Sequence, residues 1–542
     1  MEQVQSIYGI APNCLPPGNA SGGIETFPLP RIASSDPNEQ IKLSLCMIVR
    51  DSSATLGPCL QSIKPWVDEI IVLDTGSLDN TRDIAREHGA KVFEFPWCDD
   101  FAAARNQSLQ HARGQWLFWM DSDDTIDAIS GKKLRDLANQ PEHKAMAYVC
   151  QVRCPAGPDE GDYATETVVD HVKLLRNHPL IRFTGRIHEQ VLPSIRKLGG
   201  EVEWTDISVI HSGSDLSPAG RQRKLARDLR LLELELTDNP DSTFALFNFG
   251  MTLLHSGRAA EAVNPLSRSI ALAFPGESHL RKVYALLASA YAQLDRTETS
   301  HKICLLGLIA CPHDPELLFR KGLCEQSLGQ WSEAEQTLRR LVEMPPGKHF
   351  SSIDRGIVGV KAWHNLAGIY ERLGKPHSAS AAWRRVIAFD PRNSAAWRNL
   401  ISSLRLAKDF AGLEEIAAHP DKTLVSADLR LIAQANLLVA RGDMNAAAAQ
   451  LESAVQSGGS TEILDELCRL TFMNAMLPEA ARALSELSRR RPDDPSVWLN
   501  LASIQLRSGN LHAAAESAAR SLQLRPNHAA TIQILEQARR TK

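Results

Sequence analysis

The chain has 542 residues, of which 43% are hydrophobic and 23% charged, and its formal net charge is -4. This length favours roughly two or three domains, and the composition is that of an ordinary globular protein. The charge gives no reason to expect nucleic acid or an anionic membrane surface as the main partner. The apolar runs are too short to span a bilayer and the N-terminus lacks the features of a signal peptide. We therefore expect no integral membrane segment and a cytoplasmic location.

Residues 1–40 are rich in Pro, Gly, Ser and Asn, which predicts a flexible N-terminal tail. Beyond this tail, short β-rich runs alternate with amphipathic segments as far as Asp123. The predicted strands are 43–49, 69–75, 91–95 and 116–120, and the predicted helices are 55–63, 80–89 and 100–114. Apolar strands covered by intervening helices favour a parallel sheet, in which ligands bind outside the carboxyl ends of the strands.

The fourth predicted strand runs directly into carboxylates, in the sequence WLFWMDSDD at residues 116–124. Asp121 and Asp123 are separated by one residue, so in extended backbone their side chains point the same way. Such a pair suits Mg²⁺ or Mn²⁺, which would also take water and phosphate oxygens. A helix N-cap formed by Asp123 or Asp124 and a solvated turn are the alternatives. A calcium-binding loop is excluded, because its sixth position would be Ile126 rather than Gly.

A second carboxylate, Asp74, ends the second predicted strand, in the sequence VLDTGSLDNT. Gly76 and Ser77 predict a tight turn that leaves this carboxylate exposed at the mouth of the sheet. There Asp74 is placed to accept hydrogen bonds from a nucleobase or a ribose, and the alternative is an aspartate that only stabilises the turn. Two such motifs on strands of one sheet are more informative than either motif alone.

From about Arg221 the chain repeats with a period of about 34 residues, which is typical of tetratricopeptide repeats. The clearest copies begin near Tyr284, Leu318, Trp363 and Trp498, and weaker copies begin near Leu246, Trp397, Leu431 and Leu464. The pattern predicts about seven or eight helical hairpins in residues 221–542, with the Trp and Tyr side chains in the core. Such hairpins stack into a solenoid whose concave face commonly binds peptides or partner domains.

Residues 41 to about 215 resemble a family 2 glycosyltransferase of the GT-A fold. The resemblance is carried by SLCMIVRDS, by the stretch from VDEIIVLDTGSLDNT to LFWMDSDD, and by HVKLLRN and FTGRIHEQ. It implies an α/β, Rossmann-like catalytic domain with a mostly parallel sheet in residues 41–220, followed by the all-α repeats. Members transfer a sugar from a nucleotide sugar, commonly a UDP-sugar, with inversion at the anomeric carbon. The whole chain resembles bacterial glycosyltransferases with tetratricopeptide repeats, in a subgroup that includes peptide S-glycosyltransferases of bacteriocin precursors.

This resemblance implies roles for several side chains. Asp74 is expected to contact the uracil or nucleoside, and Asp121 and Asp123 to form a DxD motif that reaches the diphosphate through Mn²⁺ or Mg²⁺. Neutralising the leaving diphosphate in this way assists an inverting transfer. Arg105 and Arg176 are expected to add cationic contacts to the phosphates or the donor sugar, and surface salt bridges are the alternative for both.

The acceptor must also lose a proton, and the motif GRIHEQ supplies two candidate groups. We favour Glu189 as the base and His188 as a ligand of the donor or metal, and the alternative is a structural ion pair. His211, in SVIHSGSD, resembles a C-terminal histidine with which several GT-A enzymes bind metal or phosphate. The alternative is that His211 is a structural polar residue at the domain junction whose hydrogen bonds are made within the protein. The segment PWCDDFAAARN at residues 96–106 is expected to shape the donor-sugar pocket.

One departure from the subgroup follows the first predicted strand. Where Lys-Asn-Glu is usual, this chain has Arg50, Asp51 and Ser52. The acidic side chain expected at Ser52 is missing from the nucleotide contact, and Asp51 is the candidate to replace it. Because the DxD residues are intact, we do not interpret the departure as a loss of activity.

The leading hypothesis is a metal-dependent inverting glycosyltransferase whose repeats dock a protein or peptide acceptor or mediate dimerisation. One alternative is a glycosyltransferase that acts on a cell-surface glycan, although an embedded acceptor is less natural for a chain without an apolar span. The other alternative is a non-catalytic interaction protein with a remnant GT-A domain. The intact Asp74, Asp121 and Asp123 argue against that last hypothesis.

Overall fold

The structure, a computed structural model, describes residues 41–155, 166–213, 217–345, 353–421 and 423–540. The predicted N-terminal tail lies outside these residues. The chain divides into two compact units between Val358 and Gly359. The first unit contains both the sheet and the first helical hairpins, so the expected domain boundary near residue 220 lies within it.

The strands of the first unit form one mixed sheet. In chain order they are β1 (Leu43–Val49), β2 (Glu69–Asp74), β3 (Lys91–Glu94), β4 (Trp116–Trp119), β5 (Asp124–Thr125), β6 (Ala147–Cys154), β7 (Thr167–Arg176), β8 (Val202–His211) and β9 (Ile353–Asp354). Their order across the sheet is β3-β2-β1-β4-β7-β6-β8-β5, with β9 paired to β7. Strands β1 to β4 pair in parallel as predicted, whereas β7 is antiparallel to both β4 and β6.

Helices cover both faces of this sheet. They are α1 (Leu56–Ile63), α2 (Thr81–Glu87), α3 (Phe101–Gln110), α4 (Ala128–Ala138) and α5 (Leu192–Lys197), and a 3-10 turn spans Lys64–Trp66. In β1, Leu45 and Met47 share a core with α1 and α4, whereas Cys46 lies in a core with α3 and α5. Strands buried on both faces require helices on both sides, and the predicted α/β class is confirmed.

Helical hairpins follow the sheet. Helix α6 (Pro218–Asp238) comes first, and the hairpins of the first unit are formed by α7 (Thr243–His255), α8 (Ala259–Leu272), α9 (Leu280–Gln293), α10 (Thr297–Ala310), α11 (Pro315–Ser327) and α12 (Trp331–Val342). A 3-10 turn at Arg355–Val358 ends that unit. The second unit contains α13 (Val360–Arg372), α14 (Pro376–Phe389), α15 (Ser394–Leu406), α16 (Phe410–Ala417), α17 (Ala427–Ala440), α18 (Met444–Gln456), α19 (Thr461–Met473), α20 (Leu477–Arg490), α21 (Pro495–Arg507), α22 (Leu511–Leu524) and α23 (Ala529–Arg540). No helix in the described ranges is long and apolar enough to cross a membrane.

Small residues let the two helices of a hairpin approach closely. A Cβ atom added at Gly322 would lie 2.7 Å from Leu338 Cδ2, and one added at Gly250 would lie 2.5 Å from Leu266 Cγ. Among the aromatic side chains predicted to lie in the core, those of Tyr291, Tyr370 and Trp397 are buried. Those of Tyr284, Trp363 and Trp498 are half-buried. The predicted all-α repeat region, with its pairing of small and large residues, is confirmed.

Candidate active site

The carboxylate turn after β4 lies beside the end of β8. Residues 116–120 are buried, and the chain then turns through Asp121 and Asp123 into β5. In β5, Asp124 pairs with His211, the last residue of β8. The register of the sheet therefore brings together a DxD motif and a histidine that are far apart in sequence.

Asp124 is fully buried. Its Oδ2 accepts hydrogen bonds from Lys173 Nζ at 2.8 Å and from the backbone N–H of Asp121 at 3.0 Å, and its Oδ1 accepts from His211 Nδ1 at 2.9 Å. Burial alone would raise the pKa of Asp124, but the Lys173 ammonium and the hydrogen bond from His211 hold that pKa well below its usual value. A solvated turn is excluded for this residue, and so is a helix cap, because Asp127 caps α4.

His211 and Asp123 form the more open side of the same cluster. Their Nδ1 and Oδ1 atoms are 3.5 Å apart, and both side chains retain some exposure. The hydrogen bond to Asp124 raises the pKa of His211, against the opposing effect of burial. Burial raises the pKa of Asp123, and the charge of His211 opposes that rise. Because Nδ1 donates to Asp124, the Nε2 atom of His211 is left to bind a ligand.

Arg105, in α3, links the DxD motif to the predicted base. The side chain is 4% exposed, and its guanidinium carbon lies 4.1 Å from the centroid of the Trp119 ring. Its Nη2 donates to Asp121 Oδ1 at 3.1 Å and its Nε donates to Glu189 Oε1 at 2.7 Å. A guanidinium held between two carboxylates and an aromatic face has little freedom to move, so this ion-pair chain sets the separation of Asp121 and Glu189.

Glu189 and His188 lie in a tight loop between β7 and α5. Thr184 and Gln190 close this loop by exchanging backbone hydrogen bonds of 2.9 and 3.0 Å. His188 has φ of 54°, a left-handed conformation that is strained for a residue with a Cβ. Burial lowers the pKa of His188, and its Nε2 is buried without a partner among the described residues. The side chain of Glu189 is mostly buried beside Arg105.

Asp74 and Asp51 tie together the ends of β2 and β1. Asp74 is buried, and its carboxylate accepts from the backbone N–H groups of Gly76 at 3.3 Å and Ser77 at 3.1 Å. Asp51 accepts from Leu78 N at 2.7 Å and donates its own N–H to Ser77 Oγ at 2.9 Å. The expected exposure of Asp74 is therefore wrong, because its buried carboxylate stabilises the predicted turn. The exposed carboxylate at this end of the sheet is that of Asp51.

The departure at Arg50, Asp51 and Ser52 also has a structural consequence. Ser122, the middle residue of the DxD motif, donates a hydrogen bond from its Oγ to Ser52 Oγ at 2.9 Å. The backbone N–H of Ser52 donates to Thr81 Oγ1 at 2.7 Å. The serine that replaces the usual acidic residue thus connects the DxD turn with the loop after β1.

The structure does not bring Arg176, a predicted donor contact, to the carboxylate cluster. Arg176 lies opposite Trp116 in the antiparallel pair of β4 and β7, and its guanidinium carbon is 4.7 Å from the centroid of that ring. Trp116 begins β4, whereas Asp121 follows the other end of the same strand. The length of the strand therefore separates Arg176 from the carboxylate cluster, while Arg105 does reach it.

Lys173 belongs to the cluster and was missed by sequence reasoning. Its side chain is 1% exposed, and its Nζ lies 3.9 Å from the centroid of the Trp119 ring as well as bonding to Asp124. A lysine inside the apolar run of HVKLLRN was the available signal, because a lysine is rarely buried unless a carboxylate is buried with it.

The side chains of this cluster offer ligand atoms that suit a divalent cation. Ligand atoms of Asp121, Asp124 and His211 all lie within 4.8 Å of one another, and Asp123 lies beside His211. The carboxylate oxygens of this cluster suit Mn²⁺ or Mg²⁺. Since both oxygens of Asp124 already accept hydrogen bonds, Asp121, Asp123 and His211 are the members with capacity left for an ion.

Comparison with known proteins shows similarity to two kinds of domain in this chain. Residues 44–192 match the glycosyl transferase family 2 model, and residues 316–344, 360–403 and 477–529 match tetratricopeptide repeat models. A TPR repeat-containing protein of Synechococcus elongatus is 29% identical over 356 residues, which are 65% of this chain and 76% of that protein. The SPbeta prophage-derived glycosyltransferase SunS of Bacillus subtilis is 25% identical over 294 residues, 51% of this chain and 67% of that protein.

Among solved structures, a tetratricopeptide repeat protein from Parabacteroides merdae covers 55% of this chain and 99% of its own, with 11% identity and a TM-score of 0.36. The family assignment rests on the sequence matches to both parts of the chain. A family 2 match covers the strands that carry Asp74 and the DxD motif, and the repeat matches cover helices of both units. The chain is a glycosyltransferase with a glycosyl transferase family 2 domain followed by tetratricopeptide repeats.

Proposed function

We propose that the protein transfers a sugar from a UDP-sugar, with inversion and with the help of a divalent metal ion, to a protein or peptide acceptor. The observation that carries this proposal is the cluster at the ends of β4 and β8, in which Asp121, Asp123 and His211 adjoin the Arg105–Glu189 ion pair. Arg105 thus holds a cation-binding group and a carboxylate base near each other, and a single-displacement transfer needs both groups beside one bound donor.

Asp121, Asp123 and His211 would hold Mn²⁺ or Mg²⁺. When bound, the ion would neutralise the negative charge that develops on the leaving diphosphate. Asp124 orients His211 by accepting from its Nδ1, and Lys173 holds Asp124 in turn. This arrangement makes Asp124 a support for the ligands, in the way that carboxylates commonly orient metal-binding histidines.

The nucleoside would lie across the ends of β1 and β2. Asp51 offers an exposed carboxylate there, and Asp74 holds the turn at Gly76 and Ser77 against which the base or ribose would rest. Arg105 is buried, so its contribution is to fix Asp121 and to place positive charge near the diphosphate. We keep His188 as a candidate for contact with the donor.

Glu189 is the candidate base. Its Oε1 accepts from Arg105, which leaves Oε2 to accept the proton of the acceptor nucleophile. As the nucleophile attacks the anomeric carbon, the bond from that carbon to the diphosphate oxygen breaks, and the proton moves to Glu189. The products are the glycosylated acceptor, UDP and a protonated Glu189 that releases its proton to water.

The repeats support a protein or peptide as the acceptor, because stacked helical hairpins provide extended surfaces for binding polypeptides. Dimerisation through the repeats and a cytoplasmic location stay predictions. The test is UDP release by the purified full chain from a panel of UDP-sugars, with Mn²⁺, Mg²⁺ or EDTA, followed by incubation of the labelled donor with a cell lysate. We expect metal-dependent release and label in protein; no release and no UDP binding would overturn the transferase, and label in glycan would overturn the acceptor class.

A further inference from the structure

Helix α6 lies outside the residues that match the family 2 model, yet it contacts the segment before α3 and the loop that contains the predicted base. We propose that Arg230 and Arg186 are positioning residues, through which α6 holds the loop of His188 and Glu189 in its reactive geometry. This inference rests on the proposed function for the role of Glu189. It adds that the catalytic site is complete only when the first helix of the repeat region is docked.

The first contact joins α6 to the segment before α3. Arg230 donates from Nη1 to Asp99 Oδ2 at 2.9 Å, and its Nη2 reaches Asp99 Oδ1. Trp97 Nε1 donates to the same carboxylate at 2.8 Å. Asp99 has φ of 58°, a left-handed conformation that such partners have to stabilise. A bidentate guanidinium–carboxylate pair fixes both distance and orientation, so Arg230 determines where this segment lies.

The second contact joins α6 to the loop of the predicted base. The backbone N–H of Arg186 donates to Glu235 Oε2 at 2.9 Å, and its Nε donates to Asp238 Oδ2 at 3.0 Å. The carbonyl of Arg186 accepts from Phe101 N at 2.8 Å, which connects this loop to the start of α3. Arg186 is three residues from Glu189, so a displacement of its backbone is passed directly to that side chain.

Apolar packing closes the same interface. Ile187 forms a small buried cluster with Leu231 and Leu232 of α6, and Trp97 and Phe101 pack against this cluster. Ile187 directly precedes His188, whose left-handed backbone needs its neighbours to be fixed. The polar contacts and the apolar cluster therefore hold the loop on both sides of the strained residue.

The test measures UDP release in Arg230→Ala, Arg230→Lys and Arg186→Ala of the full chain, with Mn²⁺ and the UDP-sugar of the panel from which wild type releases UDP fastest. We expect kcat in Arg230→Ala to fall about 10- to 100-fold, because misplacement of a reacting group by about 1 Å costs up to this much. The KM for the donor should stay nearly constant, and Arg230→Lys should recover part of the lost rate. Arg258→Ala is the control, since the partly exposed Arg258 also forms a bidentate pair, with Glu261 in its own hairpin, and among the described residues it has no hydrogen bond or ion pair with the loop of Glu189.

Amide hydrogen exchange of residues 183–190 provides a readout that does not depend on activity. Arg230→Ala should exchange faster in this segment than wild type and the Arg258→Ala control, with the melting temperature changed little. Unchanged exchange there, or faster exchange with normal kcat, would overturn the positioning role. If wild type releases no UDP from any donor, the proposed function fails, and exchange alone decides whether α6 holds the loop.

Discussion

Lys173 donates a hydrogen bond of 2.8 Å to Asp124, and both side chains are almost completely buried. Burying two charges costs hydration free energy, and their mutual attraction offsets this cost. The offset is lost when either charge is removed. Asp124 also accepts from His211 and from the backbone of Asp121. The pair therefore links the stability of the sheet to the orientation of the proposed metal ligands.

Replacing Lys173 with Met should destabilise the protein strongly. The change leaves the Asp124 carboxylate buried without its cation, and loss of one partner of a buried pair typically costs about 3–5 kcal/mol. Adding Asp124→Asn to this variant should restore part of the loss, since the uncompensated charge is removed. Thermal and urea unfolding of the full chain measure these differences.

The control for this prediction is Lys133→Met, because Lys133 pairs with Asp206 at an exposed position of the same unit. A loss below about 1 kcal/mol is expected there, as for other surface ion pairs. Equal small losses in Lys133→Met and Lys173→Met would mean that Asp124 finds another partner when Lys173 is absent.

Replacing Asp123 with Ala should abolish metal-dependent UDP release and weaken Mn²⁺ binding at least tenfold. The reason is that Asp123 is the member of the cluster with most ligand capacity beside His211. Calorimetric titration with Mn²⁺ in the absence of donor separates a loss of ion binding from a loss of donor binding. Asp136→Ala, at an exposed position of α4, should behave as wild type. Normal turnover in Asp123→Ala would refute its assignment as a metal ligand.

Replacing Glu189 with Gln should lower kcat far more than it weakens donor binding. The amide keeps an oxygen for the hydrogen bond from Arg105 but cannot take the proton of the nucleophile, and loss of a general base typically costs about 10²–10⁴-fold in rate. UDP binding by calorimetry and single-turnover rates measure the two effects. Equal losses in binding and rate would assign Glu189 to binding or structure.

The sequence predicted those parts of the site that depend on local pattern. Asp121 and Asp123 follow an apolar run, and both the strand and its end were predictable from that run. Asp124 looked like a helix cap because its burial depends on Lys173, a residue of a distant strand. Only the register of β4 with β7 places Lys173 at the cluster, and a sequence pattern does not contain that register.

The same register explains why only one of the two predicted donor-binding arginines lies at the cluster. Arg105 and Arg176 each precede an asparagine, and neither motif shows which end of the sheet its arginine occupies. The antiparallel pairing of β7 puts Arg176 opposite Trp116, at the start of β4. The strands after residue 124, which make the sheet mixed, lack the continuous apolar character that identified β1, β2 and β4.

Arg176→Ala should therefore leave the donor KM and kcat within about twofold of wild type, as expected for a residue remote from the site. Arg105→Ala should lower kcat/KM by at least 100-fold, because it leaves Asp121 and Glu189 without the cation between them. Steady-state UDP release with varied donor measures both. An equal loss in the two variants would restore Arg176 to the donor site.

The repeats offer a prediction about packing that is independent of the catalytic site. A Cβ at Gly322 would lie 2.7 Å from Leu338 Cδ2 across the α11–α12 hairpin, so Gly322→Ala should destabilise the protein by about 1–3 kcal/mol through overpacking. At Gly368, in α13, an added Cβ meets nothing within 4 Å, so Gly368→Ala should instead stabilise its helix by about 0.5–1 kcal/mol. Scanning calorimetry of the full chain measures both changes against wild type. The two substitutions are chemically identical, so a difference in sign reports packing alone, whereas equal shifts would mean that Leu338 moves aside without cost.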